Sequence, residues 1–245
     1  MVQKLKQKVM DGKEITKEEA MTLAEADLDE LCQAADEIRK HFCGNVFDIC
    51  SCINVKGGKC SEDCKFCPQS CFNDKVEVKP HTLIGSDQML EEAAYMAQKD
   101  VVRCDLVSSG RRLPKDDVRK IVQDIERIRK ETGIAVCCSF GLLDQEDCEM
   151  LRKAGITRLH NNLESSRTFF TGVCSSHSTD DKMATLRAAR AAGLTLCSGC
   201  LINLGESMED RIELALMERE LGVKSIPVNV LNPIKDSPFE DRKPM

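Results

Sequence analysis

The alternation of apolar and polar positions changes period several times along this chain. Between Thr16 and Phe42 the residues Leu28, Leu31, Cys32, Ala35, Ile38 and Phe42 recur at helical spacing, and Thr16 with Glu19 forms a capping box. That pattern predicts an amphipathic N-terminal helical layer. After Gly44 the segment VFDICSCINV is short, β-branched and apolar, and predicts the first strand. Ser86 opens a helix that leads into a strand VVRCDLVS. Pro114 opens another, with Val118, Ile121, Val122, Ile125 and Ile128 on one face, which ends at Gly133 before a strand IAVCCSF. At AGIT (from Ala154), AGLT (from Ala192) and LGVK (from Leu221) a glycine stands just past a helix and an apolar strand follows: ITRLHNNL, LTLCSGCLI and VKSIPVNVL.

About six strands alternating with helices predict a parallel sheet with right-handed crossovers. The expected fold is α/β, a partial TIM-type (β/α)6 barrel over residues 46–245 behind an N-terminal helical extension over 1–45, in a single domain. Such sheets gather ligand sites at the carboxyl ends of their strands. Cys104, Cys137, Asn162 and Cys197 fall in or just after successive predicted strands, so they are candidates for one shared cavity. Cys138 alternates to the face opposite Cys137 and is the weaker candidate.

Composition narrows the function. A formal net charge of -6, no Trp and a single Tyr (Tyr95) offer neither the basic surplus nor the aromatic platform of a nucleic-acid binder. No long apolar stretch could span a bilayer, and the N-terminus MVQKLKQKVMDGKEI lacks the apolar core of a signal peptide, so a cytoplasmic location without membrane attachment is expected. Fifteen cysteines in such a compartment argue for metal ligation over disulfides, although Cys32 and Cys148, at apolar helix positions, are expected to be ordinary buried thiols. LGES at Leu204 has too few glycines for a phosphate loop.

The densest chemistry lies in KCSEDCKFCPQS, Lys59 to Ser70. Cys60, Cys64 and Cys67 at C-x3-C-x2-C spacing can share one soft metal centre but are one ligand short of a closed tetrahedral set. Three thiolates on a 4Fe-4S cluster leave one iron open to bind a small molecule. Zinc with Cys71 or His81 as the fourth ligand remains an alternative, as does a ferredoxin-like run, though Pro68 follows the third cysteine and not the fourth. The spacing, with Phe66 before the third cysteine, resembles the radical S-adenosylmethionine (SAM) enzymes.

Together with HNNLESS (His160 to Ser166) and LCSGCLINLGES (Leu196 to Ser207), in that order on a βα-repeat background, the chain from about Thr16 onward resembles the biotin synthases. The resemblance implies a radical SAM sulfurtransferase that inserts sulfur into dethiobiotin through a 5′-deoxyadenosyl radical. It implies Cys60, Cys64 and Cys67 as ligands of the SAM-binding 4Fe-4S cluster, with Phe66 packing near the nucleoside. Cys104, Cys137 and Cys197 are implied to hold a second, sulfur-donating cluster, 2Fe-2S or a variant. Asn162 and Glu164 are implied to contact the SAM ribose and the substrate, and Asn229 to face the substrate's ureido ring. Lys182 stands where the family often has an arginine near the SAM carboxylate, keeping the charge without the bidentate fork. An electron donor such as flavodoxin or ferredoxin is implied as partner, with a homodimer left open. Two departures from the pattern stand out: the chain ends at Met245, before the family's last two strands and its arginine cluster ligand, and CSGC replaces CSGG, so Cys200 enters as a further thiol. A different radical SAM reaction, or a non-catalytic iron–sulfur paralogue, are the other readings of the same residues.

Overall fold

The structure, a computed structural model, describes residues 1–243 and 245. The N-terminal layer has three helices, α1 (Val2–Met10), α2 (Lys17–Leu23) and α3 (Leu28–Cys43). The capping box forms: the Glu19 amide donates to Thr16 Oγ1 at 3.2 Å, and the Glu19 carboxylate accepts the Thr16 amide at 2.8 Å. Helices α1 and α3 bury Val2, Leu5 and Ala34 between them. The apolar stripe is narrower than its spacing suggested. Leu28 and Phe42 are exposed, and Cys32 is exposed, not buried, because the face that meets α1 runs through Leu31, Ala34, Ala35 and Ile38 and leaves Cys32 to one side.

The remaining elements are β1 (Cys50–Lys56), α4 (Ser86–Ala97), β2 (Arg103–Ser108), α5 (Lys115–Thr132), β3 (Ala135–Ser139), α6 (Gln145–Ala154), β4 (Arg158–His160), α7 (Arg167–Phe170), α8 (Thr179–Ala191), β5 (Thr195–Cys197), β6 (Cys200–Ile202), α9 (Met208–Leu221) and β7 (Val228–Val230). Strands β1 to β5 form a parallel sheet in chain order, and β6 pairs with β7 in parallel. Bridges between Glu164 and Cys200 and between Cys197 and Ser225 carry the same order across the two sheets. Among the described residues β1 and β7 are the free edges, so the barrel is partial and open. The fold class expected from the repeat pattern is the one present.

The single strand expected over LTLCSGCLI is interrupted at Ser198 and Gly199. Ser198 Oγ turns outward to donate to Glu218 at 3.1 Å, and Gly199 lies so close to the next track that a Cβ there would stand 1.9 Å from the Pro227 carbonyl oxygen. The glycines read as helix ends do adopt left-handed backbone, with φ of 103° at Gly155, 82° at Gly193 and 72° at Gly222.

Strand pairing fixes which side chains face which way, since paired residues of parallel neighbours share a face. Ile53, Leu106, Val136, Leu159 and Leu196 point outward and pack on α4, α5, α6 and α8 in the main core. The inner face carries Cys52, Asp105, Cys137, Arg158 and Thr195 in register, with His160 and Cys197 at the next level.

Candidate metal centre

The loop after β1 is held by its own polar residues. Cys71 donates its amide to the Cys60 carbonyl at 2.8 Å, Ser70 Oγ donates to the Glu62 carbonyl at 2.7 Å, and Lys59 Nζ donates to the carbonyls of Asn73 and Val76 at 2.7 and 2.8 Å. With its backbone groups satisfied internally, the loop can turn thiols inward. Cys60, Cys64 and Cys67 line one cavity of about 180 Å³ together with Phe66, Glu164 and Lys182. Cys71 is exposed and His81 is bridged through its backbone to Gly57; neither reaches the cavity wall, which removes both as the fourth ligand of a zinc site there. Gly141, on the far wall, has φ 74°, and a Cβ there would stand 2.2 Å from the Arg111 carbonyl oxygen, so only glycine allows this approach.

The three thiols are protonated without metal. Burial raises the Cys60 and Cys67 thiols, and Cys64 is raised well above the ordinary range by donating its hydrogen to Cys174 and then by burial. A metal centre would have to displace these protons, which soft cations do on binding thiolates. The three thiols share the cavity wall with Glu62, Glu164 and His177, and Glu62 and His177 are hydrogen-bonded to each other; three thiolates held in this way fit a cluster with one open iron.

Beside them stands a polar set suited to a zwitterionic ligand. Lys182 Nζ donates to the Asn162 carbonyl at 2.9 Å and lies 5.5 Å from the Phe170 ring. Burial raises the Glu164 carboxyl, with Lys182 acting against that shift. Asn162 Nδ2 reaches Glu164 Oε2 at 3.5 Å, while its Oδ1 is buried with no partner among the described residues, an acceptor waiting for a donor. Asn162 thus backs the cavity and Asn161 lines it. Asn229 is exposed on β7, paired with Leu201, and does not line the cavity.

Several cavity residues carried no sequence signal. Glu62 is buried and accepts from His177 Nδ1 at 2.6 Å, Ser176 Oγ at 2.8 Å and Arg111 Nη1 at 3.1 Å. These bonds join the thiol loop to segments about 50 and 115 residues onward. LGES is a self-contained turn: the Glu206 carboxylate accepts the amides of Asn203, Leu204 and Gly205, leaving none for a phosphate.

The second group of cysteines is not as expected. Cys104 pairs with Val136 and points into the outer core with Cys138, whereas Cys137 pairs with Asp105 and points inward. Cys104 therefore does not share a centre with Cys137 and Cys197; a one-residue step along a strand reverses the face. Cys200, too, packs against the outer core. On the inner face Cys137 Sγ lies 3.8 Å from Arg103 Nη1, and Cys197 Sγ lies 3.3 Å from His160 Nδ1 and 3.4 Å from Ser225 Oγ. Register puts Cys50 and Cys52 of β1 on the same face. Desolvation, and after it the charges of Asp105 and Cys137, push the Cys50 thiol up to about 12. The donors facing inward are thus Cys50, Cys52, Cys137 and Cys197, with Asp105 where a thiol was expected.

A parallel α/β sheet with three thiols converging beyond its first strand defines a class, and the radical SAM superfamily matches residues 54–217. The sequence is 47% identical to the biotin synthase of Brachyspira hyodysenteriae over 98% of this chain and 72% of that protein, and 51% identical to biotin synthase 2 of Corynebacterium diphtheriae over 97% and 72%. The fold is similar to that of methylornithine synthase PylB, with a TM-score of 0.84 at 22% identity over 98% of this chain and 72% of that one. The chain belongs to the biotin synthase family of the radical SAM superfamily. It is an enzyme family whose cofactors are a 4Fe-4S cluster and SAM, with a second iron–sulfur cluster.

Proposed function

We propose that this protein converts dethiobiotin to biotin at the cavity beyond β1, with Cys60, Cys64 and Cys67 holding the 4Fe-4S cluster. The observation that carries the reading is the convergence of those thiols with Glu164 and Lys182 on one cavity. When bound, the cluster and SAM supply a 5′-deoxyadenosyl radical that removes hydrogen from the substrate, and the second cluster supplies sulfur. Lys182 meets the SAM carboxylate as a point charge, and Glu164 with the unpartnered Oδ1 of Asn162 accepts hydrogen bonds from the ligand. Phe66, packed with Phe170 and Leu204 in a small satellite core, keeps water from that side of the site.

For the second cluster, Cys137 and Cys197 are retained as ligands, and Cys50 and Cys52 are the thiols that complete the set in place of Cys104. Strand register places these inward residues of β1, β3 and β5 on one face of the sheet. An electron donor of the flavodoxin or ferredoxin type supplies the reducing equivalents. The test is anaerobic turnover with SAM, reductant and dethiobiotin: biotin forms in the wild type, while Cys67→Ala makes neither biotin nor 5′-deoxyadenosine. Release of 5′-deoxyadenosine without any sulfur product would reduce the reading to another radical SAM reaction.

A further inference from the structure

On the wall of the cavity, Cys64 has a second neighbour set that reaches Cys174 behind it. Its Sγ lies 3.6 Å from Cys174 Sγ, and the Cys64 sulfur, the Cys174 sulfur and one ring nitrogen of His177 all fall within 4.8 Å of one another. Two thiolates on a single tetrahedral zinc ion, at Zn–S near 2.3 Å, stand about 3.8 Å apart, whereas thiolates on different irons of one cluster stand roughly 6 to 7 Å apart. A separation of 3.6 Å therefore suits one ion shared by Cys64 and Cys174, and does not suit Cys174 as a further ligand of the cluster.

The surroundings of His177 are those of a metal ligand. Glu62, itself buried, bonds Nδ1 at 2.6 Å and holds the ring in place; Nδ1 stands 3.3 Å and Nε2 3.9 Å from Cys174 Sγ, so both ring nitrogens lie within reach of an ion shared with that thiol. The Phe170 ring stands 5.6 Å from the imidazole and limits its swing. The segment bearing Cys174 is tied to the thiol loop by the Lys65 amide on the Val173 carbonyl at 3.1 Å and by the amides of Ser175 and Ser176 on the Asp63 carboxylate, at 2.9 and 3.0 Å. Asp63 is also the nearest oxygen donor, 3.1 Å from Cys174 Sγ.

We propose that Cys64, Cys174 and His177 form a mononuclear site for a soft divalent transition ion, Zn2+ or Fe2+, with Glu62 positioning the histidine and solvent in the fourth place. Binding releases the thiol protons of Cys64 and Cys174 and involves no electron transfer. Because Cys64 serves both sites, the ion and the cluster exclude one another, and the ion-bound form is a state of the cluster-free protein. The proposal rests on the three-thiol loop being the cluster site.

The test titrates cluster-free, anaerobically reduced protein with Co2+, a spectroscopic stand-in for Zn2+. One equivalent should produce a sulfur-to-cobalt charge-transfer band and the intense visible bands of tetrahedral cobalt. Cys174→Ser and His177→Gln should each weaken binding by about a hundredfold or more, and Glu62→Gln by about tenfold. Cys60→Ser should leave cobalt binding unchanged. Reconstitution with iron and sulfide should show the reverse: Cys60→Ser loses the cluster and Cys174→Ser keeps it. Zinc loaded beforehand should block cluster assembly in the wild type but not in Cys174→Ser. Cobalt binding that survives Cys174→Ser and His177→Gln but vanishes in Cys60→Ser would overturn the proposal, as would no tetrahedral spectrum in the wild type. A wild type that never takes up a cluster would instead count against the cluster reading, since the cobalt result is obtained without one.

Discussion

Asp105 and Cys137 are paired across β2 and β3 and project side by side from the inner face of the sheet. Their neighbours Cys104 and Cys138 project from the other face, fully buried under the helices. A second cluster on the inner face must therefore be held without Cys104. Cys104→Ala is expected to cost about 1 kcal/mol of stability as a small core truncation while leaving iron and sulfide content unchanged. Cys137→Ala should lower both contents. Metal analysis of the two variants decides it: iron loss in Cys104→Ala alone would place the ligand on the wrong side of the sheet.

Lys182 lines the cavity with Glu164 and satisfies the Asn162 carbonyl, whereas the other cation of the wall, Arg111, is engaged by Glu62. Lys182→Met should raise the SAM dissociation constant by roughly tenfold to a hundredfold, the equivalent of about 1.4 to 2.8 kcal/mol. Lys182→Arg should recover part of that, because charge is kept while the short contact to Asn162 is altered. Calorimetric titration with SAM measures both, and equal affinities in wild type and Lys182→Met would remove Lys182 from the ligand site.

Gly141 and Gly133 both have left-handed backbone, with φ of 74° and 72°, but only Gly141 is crowded. Alanine at Gly133 meets open space and should cost about 1 kcal/mol from backbone strain alone. Gly141→Ala must also displace the Arg111 carbonyl, so its unfolding midpoint should fall further and SAM binding should weaken. Urea denaturation of the two variants compares them directly.

Glu218 is buried on α9, where it accepts from Ser198 Oγ; burial lifts its carboxyl from 4.5 to about 7. A raised carboxyl favours the folded state when protonated, so this contribution is complete below pH 4.5 and is lost as pH rises through about 7. At 1.36 kcal/mol per pKa unit, the loss is at most about 3 kcal/mol. Unfolding free energies at pH 5 and pH 8 should differ more in the wild type than in Glu218→Gln, in the direction of lower wild-type stability at pH 8. Identical pH slopes in the two proteins would show that Glu218 ionises freely.

The sequence made the repeat legible because its signals are local. Gly155, Gly193 and Gly222 mark helix ends by their own backbone needs, and C-x3-C-x2-C packs its thiols within one loop. The facing of Cys104 is legible in the sequence as well. In Arg103, Cys104, Asp105, Leu106 the polar residues alternate with the apolar ones, which assigns Cys104 to the side of Leu106. The bonds of Glu62 to Arg111 and His177, and the approach of Cys174 to Cys64, join residues far apart in sequence; no local pattern encodes them. The break at Ser198 and Gly199 is likewise a tertiary effect, set by the closeness of Pro227 and the outward pull of Glu218.

The most direct test of the account is EPR of the anaerobically reduced protein with and without SAM, alongside assay of 5′-deoxyadenosine. With the 4Fe-4S cluster on Cys60, Cys64 and Cys67 and one iron open, SAM should change the EPR signal and be cleaved, and Cys67→Ala should lose both effects. A cluster signal indifferent to SAM, or SAM cleavage that persists in Cys67→Ala, would contradict it.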